Sequence, residues 1–105
     1  MTTSKHEFTV DKRRAYVLTY LRDAMASGSI ASAHDAARVL GRSPQSGATF
    51  AALKIMEEHG LVERIDQRML PHCKKPAWTW RITDAGLEQL NEHIAARGEV
   101  DYLRN

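Results

Sequence analysis

Residues 32–60 encode two helices almost back to back, and this closeness restricts the fold more than any other feature of the sequence. Ser32 is a helix N-cap, Asp35 stands three residues on in the place of a capping-box acid, and Gly41 supplies the left-handed residue on which a helix ends. The chain then restarts at once. Ser43 caps a second helix, Pro44 takes its first position, where a missing N–H costs nothing, and Gly60 closes it. Two capped helices with about two residues between them can hardly lie end to end, so they cross.

The apolar spacing predicts which faces meet. Ala33, Ala36, Ala37 and Leu40 follow i, i+3, i+4, i+7, and Thr49, Ala52, Leu53 and Met56 repeat that spacing in the second helix. Each helix therefore has one buried face, and the alanines let the two axes approach closely. Opposite the core of the second helix lie Gly47, Ala51 and Lys54, with Phe50 and Ser46 at the flanks. This face is open to a partner, and the pair is a helix-turn-helix candidate.

At 105 residues and 43% hydrophobic content the chain makes one domain with a modest core. We expect a flexible N-terminus over 1–8, a folded domain over 9–98 and a tail over 99–105. The longest apolar runs are a few residues, so no membrane span is expected, and MTTSKHEFTV lacks the apolar centre of a signal peptide. Cys73 is the only cysteine, which excludes an internal disulfide and agrees with a reducing, cytoplasmic setting. A net charge of +2 is compatible with a nucleic-acid partner without requiring one.

Outside the helix pair, Thr9 or Asp11 caps a first helix that runs to about residue 27, with Val17, Leu18, Leu21 and Met25 as its buried stripe and Gly28 as its stop. Lys12, Arg13 and Arg14 make its start basic. Arg13, Tyr16 and Tyr20 share an outer face, read as a solvated surface, with contact to a phosphate or a second subunit as the alternative. Residues 29–31 suggest a short strand. After Gly60 the period becomes alternating: 61–65 and 78–82 read as the strands of a hairpin, with Trp78, Trp80 and Ile82 on one face and Thr79 and Arg81 on the other. The twelve residues between them, 66–77, hold two prolines and the basic residues Arg68, Lys74 and Lys75, which marks an exposed loop. Thr83 caps a last helix over 84–97, with Leu87, Leu90 and Ile94 as its stripe and Gly98 as its end.

The result is a mainly α chain with a small β-hairpin, in the order helix, short strand, helix, helix, strand, basic loop, strand, helix. Three segments, Gly41-Arg42-Ser43-Pro44, Glu57-Glu58-His59-Gly60-Leu61-Val62-Glu63-Arg64 and Trp80-Arg81-Ile82-Thr83-Asp84-Ala85-Gly86, give it a likeness. The sequence resembles the winged helix-turn-helix family of DNA-binding regulators, MarR-like and PadR-like members in particular, over roughly residues 10–97. The resemblance implies a transcriptional regulator of double-stranded DNA, with a recognition helix over 44–59 in the major groove and a wing over 66–77 on the backbone. The chain departs from that pattern in two ways. It has one helix before the pair and one after, where MarR-like proteins carry long additional helices for dimerisation. Its recognition helix is also poor in charge, Lys54 being the only basic residue from Pro44 to Met56. Positive charge gathers instead over 61–82, where Arg64, Arg68, Lys74, Lys75 and Arg81 face only Glu63 and Asp66.

On this reading Ser43, the free N–H groups at the helix start and Arg42 suit a phosphate. Gln45 and Ser46 can reach base edges, Ala51 or Phe50 can meet a thymine methyl, and Lys54 can take a phosphate or a guanine. Lys74 and Lys75, with Arg68 from the same loop, supply attraction independent of sequence. A homodimer reading two half-sites about one DNA turn apart is expected, joined through the last helix and Tyr102, Leu103 and Arg104 or through the first helix with Tyr16 and Tyr20. No nucleophile stands with a plausible base and no glycine loop cradles a phosphate, so neither an enzyme nor a cofactor is expected. His72 and Cys73 lack ligand spacing with His6, His59 or His93, and an incidental thiol at Cys73 is favoured over a redox switch beside Lys74 and Lys75. Trp78 and Trp80 read as core and hairpin packing. The competing function is a protein-interaction module, a complex subunit or phage-type inhibitor, that docks through the neutral surface at Gly47, Ala51 and Phe50.

Overall fold

The computed structural model describes residues 10–29, 31–43, 47–70 and 74–100. Across them run α1 (Lys12–Ser27), α2 (Ala33–Val39), α3 (Ala48–Glu58), β1 (Val62–Arg68), β2 (Ala77–Ile82) and α4 (Asp84–Arg97). Among the described residues these are four helices and one two-stranded antiparallel hairpin.

Three helices begin where a side chain satisfies their first N–H groups. The Asp11 carboxylate accepts from the Arg14 N–H at 2.9 Å, and the Thr83 hydroxyl accepts from the Gly86 N–H at 3.0 Å. At α2 the Ser32 hydroxyl accepts from the Asp35 N–H at 3.1 Å and donates to its carboxylate at 3.0 Å. Each such cap is worth about 1 kcal/mol. Thr9, the other candidate for the first cap, lies outside the described residues.

The core draws one stripe from each helix. Val17, Leu18 and Leu21 of α1, Ala36 and Ala37 of α2, Leu53 and Met56 of α3 and Leu90 of α4 are buried, together with Leu40, Leu61, Val62, Trp80 and Ile82. Leu87 and Ile94 pack at its edge. Met25 departs from expectation, being 43% exposed. Ala24 takes the buried position in the last turn of α1, and the longer Met25 side chain is left on the rim of a groove against the hairpin.

The hairpin is longer than its alternating pattern suggests. Val62, Glu63 and Arg64 pair with Ile82, Arg81 and Trp80, and after a shift Gln67 and Arg68 pair with Trp78 and Ala77. Ile65 and Asp66 thus stand against Thr79 alone, a β-bulge. The Thr79 hydroxyl fills it, donating toward the Asp66 carbonyl at 3.0 Å and the carboxylate at 2.9 Å. Two expectations change as a result. The loop expected over 66–77 shrinks to 69–76, because Asp66, Gln67 and Arg68 remain in β1. Thr79, expected outside, is 2% exposed, while Trp78 on the supposed inner face is 36% exposed. Of the strand expected over 29–31, Ile30 lies outside the described residues; next to it a single bridge joins Ser32 to Thr79, and the Trp80 N–H donates to the Ala31 carbonyl at 2.8 Å.

Tyr20 is half-buried against the core, between α1 and α2. Burial first, and then the Asp35 carboxylate, push its phenol above the ordinary value of 10.0, against the pull of Arg38. The folded protein therefore holds this proton to a higher pH than the unfolded chain does. The resulting stabilisation is complete below pH 10.0 and is lost as pH rises through the raised value. Urea unfolding at about pH 9 and about pH 11 should show the natural protein losing more stability than Tyr20→Phe. Equal losses in the two proteins would remove Tyr20 as the cause.

No helix among the described residues is long and apolar enough to cross a membrane.

Candidate functional site

The second helix of the pair starts later than its capping signals predict. Gly47, at φ 77 and ψ −1, is the N-cap of α3, and the Ala51 N–H donates to the Gly47 carbonyl at 3.0 Å as the first helical bond. A residue in the left-handed region interrupts a right-handed helix, so α3 cannot continue back through Gly47 to Pro44. The helix expected over 44–59 becomes Ala48–Glu58, and the connection from Gly41 is longer than two residues. Gly47 and not Ser43 holds the N-cap position of α3; Ser43 is exposed and Arg42 is half-buried. Pro44, Gln45 and Ser46 lie outside the described residues. Gly47, placed by its spacing on the open face, forms the entry to the helix instead.

The open face of α3 carries Phe50, Ala51 and Lys54, with Phe50 37% exposed. Phe50 stands edge-on to Trp80, ring centres 5.9 Å apart at 75°. Arg64 of β1 joins this helix to the hairpin. Its guanidinium lies 5.8 Å from the centre of the Phe50 ring, 5.3 Å from Trp78 and 5.0 Å from Trp80. On its other side it donates to the Glu57 carboxylate through Nε at 3.1 Å and Nη2 at 3.1 Å. A planar cation can stack on rings while its edge binds a carboxylate, and lysine lacks that geometry. Arg64 thereby fixes the angle between α3 and the hairpin, and Glu57 neutralises its charge. Lys54 extends over Phe50 with Nζ 6.0 Å from the ring centre.

Ion pairing redistributes the positive charge counted along the hairpin. Arg68 pairs with Asp66 at 3.3 Å, and Arg81 pairs with Glu63 directly across the strands. No ion pair joins Lys74 or Lys75 to another described residue, and both are exposed in the loop. Exposed pairs contribute little to stability, but they cancel the long-range field of the arginines. The two lysines therefore dominate the hairpin's field.

Neither family models, curated proteins nor solved structures give a match to this chain. The site is accordingly defined by its own residues. Phe50, Ala51 and Lys54 share the α3 face, and Lys74 and Lys75 sit at the far end of the hairpin that Arg64 ties to it. Arg68 belongs to β1 and is already engaged. The sequence placed Arg64 among the hairpin's basic residues and Trp78 in hairpin packing, without assigning either to the site. The available signal was a Trp-Thr-Trp run beside a loop, in which the outer tryptophan has too little sheet around it for full burial. Also unanticipated is a cleft where the first turn of α1 meets the first turn of α3, lined by Arg13, Arg14, Arg42 and Thr49. His72 and Cys73 lie outside the described residues.

Proposed function

We propose that the chain is a small winged-helix regulator that binds double-stranded DNA selectively, with α3 in the major groove and the loop over 69–76 on the sugar-phosphate backbone. The observation that carries this reading is the exposed Lys74–Lys75 step, without an ion pair among the described residues, at the end of a hairpin held to the open face of α3 by Arg64. Phosphate neutralisation supplies most of the affinity of such proteins and base-edge contacts supply the selectivity. Lys74 and Lys75 take the first role. Phe50 and Ala51 meet thymine methyl groups, and Lys54 reaches a guanine or a phosphate. A reader with so few hydrogen-bonding groups needs two copies, so the active form is a cytoplasmic homodimer on half-sites about one DNA turn apart. Selection of bound fragments from random duplex DNA tests the reading.

A second reading is supported by the same face. Phe50 and Trp78, both more than one-third exposed, stand beside a neutralised arginine, and an apolar surface of that kind also suits a protein partner. Phe50→Asp would then abolish a stoichiometric protein complex, with no nucleic acid recovered from it.

A further inference from the structure

We infer that the face shared by α3 and the hairpin stacks an unpaired nucleobase, so that the protein binds single-stranded DNA. The inference goes beyond the duplex reading and stands or falls without it. Two rings are open on this face, Phe50 of α3 and Trp78 of β2, each more than one-third exposed. The Arg64 guanidinium gathers them, lying 5.8 Å from the centre of the Phe50 ring and 5.3 Å from that of Trp78. Trp80 backs the pair, buried and edge-on to Phe50. Arg64 lies over the Trp78 ring on one side, and the exposure belongs to the rest of the indole.

Duplex DNA leaves Trp78 unused. Paired bases are stacked on one another, and the grooves present their edges and the thymine methyl rather than their faces. Phe50 and Ala51 can meet such a methyl from α3, but an indole on the hairpin finds no base face to cover. In a single strand the faces are open, and each base stacked on an aromatic side chain strengthens binding by on the order of tenfold or more.

Charge favours a nucleic acid over a protein on this face. The Lys54 Nζ lies 6.0 Å from the centre of the Phe50 ring, and Lys74 and Lys75 precede Trp78 on the same arm of the hairpin. No ion pair joins any of these lysines to another described residue. The acid of the cluster, Glu57, is held by Arg64 through Nε and Nη2, each at 3.1 Å. Rings that stack bases, beside cations that neutralise the backbone, are the two components of a single-strand site. With Glu57 occupied, these residues offer a ribose 2′-hydroxyl no free carboxylate, and Ala51 beside Phe50 suits the thymine methyl, so the strand is DNA.

The test titrates the protein with oligothymidylate and, separately, with a duplex, following the anisotropy of labelled DNA and the tryptophan emission. The chain has two tryptophans, and with Trp80 buried the emission open to a ligand is that of Trp78. Oligothymidylate should quench it saturably. Trp78→Leu should weaken the single strand about tenfold, more than it weakens a duplex, and should leave the slope of log K against log salt unaltered, because stacking releases no counterions. Trp78→Phe keeps a ring beside Arg64, so the quench should disappear while most of the affinity remains. Circular dichroism checks that both variants fold, and the phenylalanine variant decides the matter if the leucine variant does not. No binding of oligothymidylate at low salt, as a face reserved for a protein would give, would overturn the site. Binding without a change in Trp78 emission, or equal losses for single strand and duplex in Trp78→Leu, would overturn it as well, and in each case duplex binding would leave the DNA reading standing. Single-strand binding with the quench but no duplex binding would uphold the site and overturn the duplex reading alone.

Discussion

Gly86→Ala should unfold at a temperature lower by about 10 °C, a loss of about 2 kcal/mol, when melting is followed by far-ultraviolet circular dichroism. Gly86 is buried in the first turn of α4, and its φ is not in the left-handed region, so helix propensity alone favours alanine by about 1 kcal/mol. Packing decides the sign in the other direction. An added Cβ would lie 2.1 Å from the Leu61 carbonyl oxygen and 2.7 Å from Cγ1 of Ile82. The first of these atoms is backbone and cannot move aside, because the Thr83 N–H donates to it at 3.0 Å while the Thr83 hydroxyl donates to the Gly60 carbonyl at 2.6 Å. Relief of the clash requires α4 to lift from the root of the hairpin, which unpacks Leu61 and Ile82 together. An unchanged or raised melting temperature would show that this junction is not the close contact described.

Replacing Lys74 and Lys75 together by alanine should weaken binding to every duplex, preferred or not, by on the order of 30-fold at roughly 0.15 M salt. Each lysine that no longer neutralises a phosphate lowers the slope of log K against log salt by about 0.9, which at that concentration corresponds to about fivefold in affinity. Replacing Arg68 and Asp66 together by alanine should change much less, because the two charges already cancel each other's field. The two variants therefore separate the effect of free charge from that of nominal charge. Equal losses from both, or a loss confined to the preferred duplex, would remove the loop lysines from their proposed role.

Much of the fold was legible because helix ends are local. Ser32 with Asp35, Thr83 with Gly86, and glycines 28, 41 and 60 mark boundaries through bonds or dihedral angles that span only a few residues. The buried stripes were legible for the same reason, with Ala33, Ala52, Leu87 and Ile94 half-buried at their edges and Met25 exposed, where only the nearby hairpin decides between Ala24 and its neighbour. The start of α3 lies beyond the Ser43-Pro44 signal because Gly47 adopts a left-handed backbone, which the capping pattern does not record. The bulge was hidden because two residues standing against one is a property of paired strands, and neither strand alone records it. At the candidate site, Phe50, Ala51, Lys54, Lys74 and Lys75 could be named from spacing and composition. The charge cancellation at Arg64 and Arg68, the exposure of Trp78 and the convergence of Arg13, Arg42 and Thr49 could not, since each depends on segments that meet only after folding.

The proposed function depends most directly on whether the protein selects duplex DNA. Fragments recovered from a random duplex pool should converge on one motif repeated about one helical turn apart, bound less tightly as salt rises. Recovery of no enriched sequence, together with no salt-sensitive binding to any duplex in the pool, would contradict the DNA reading.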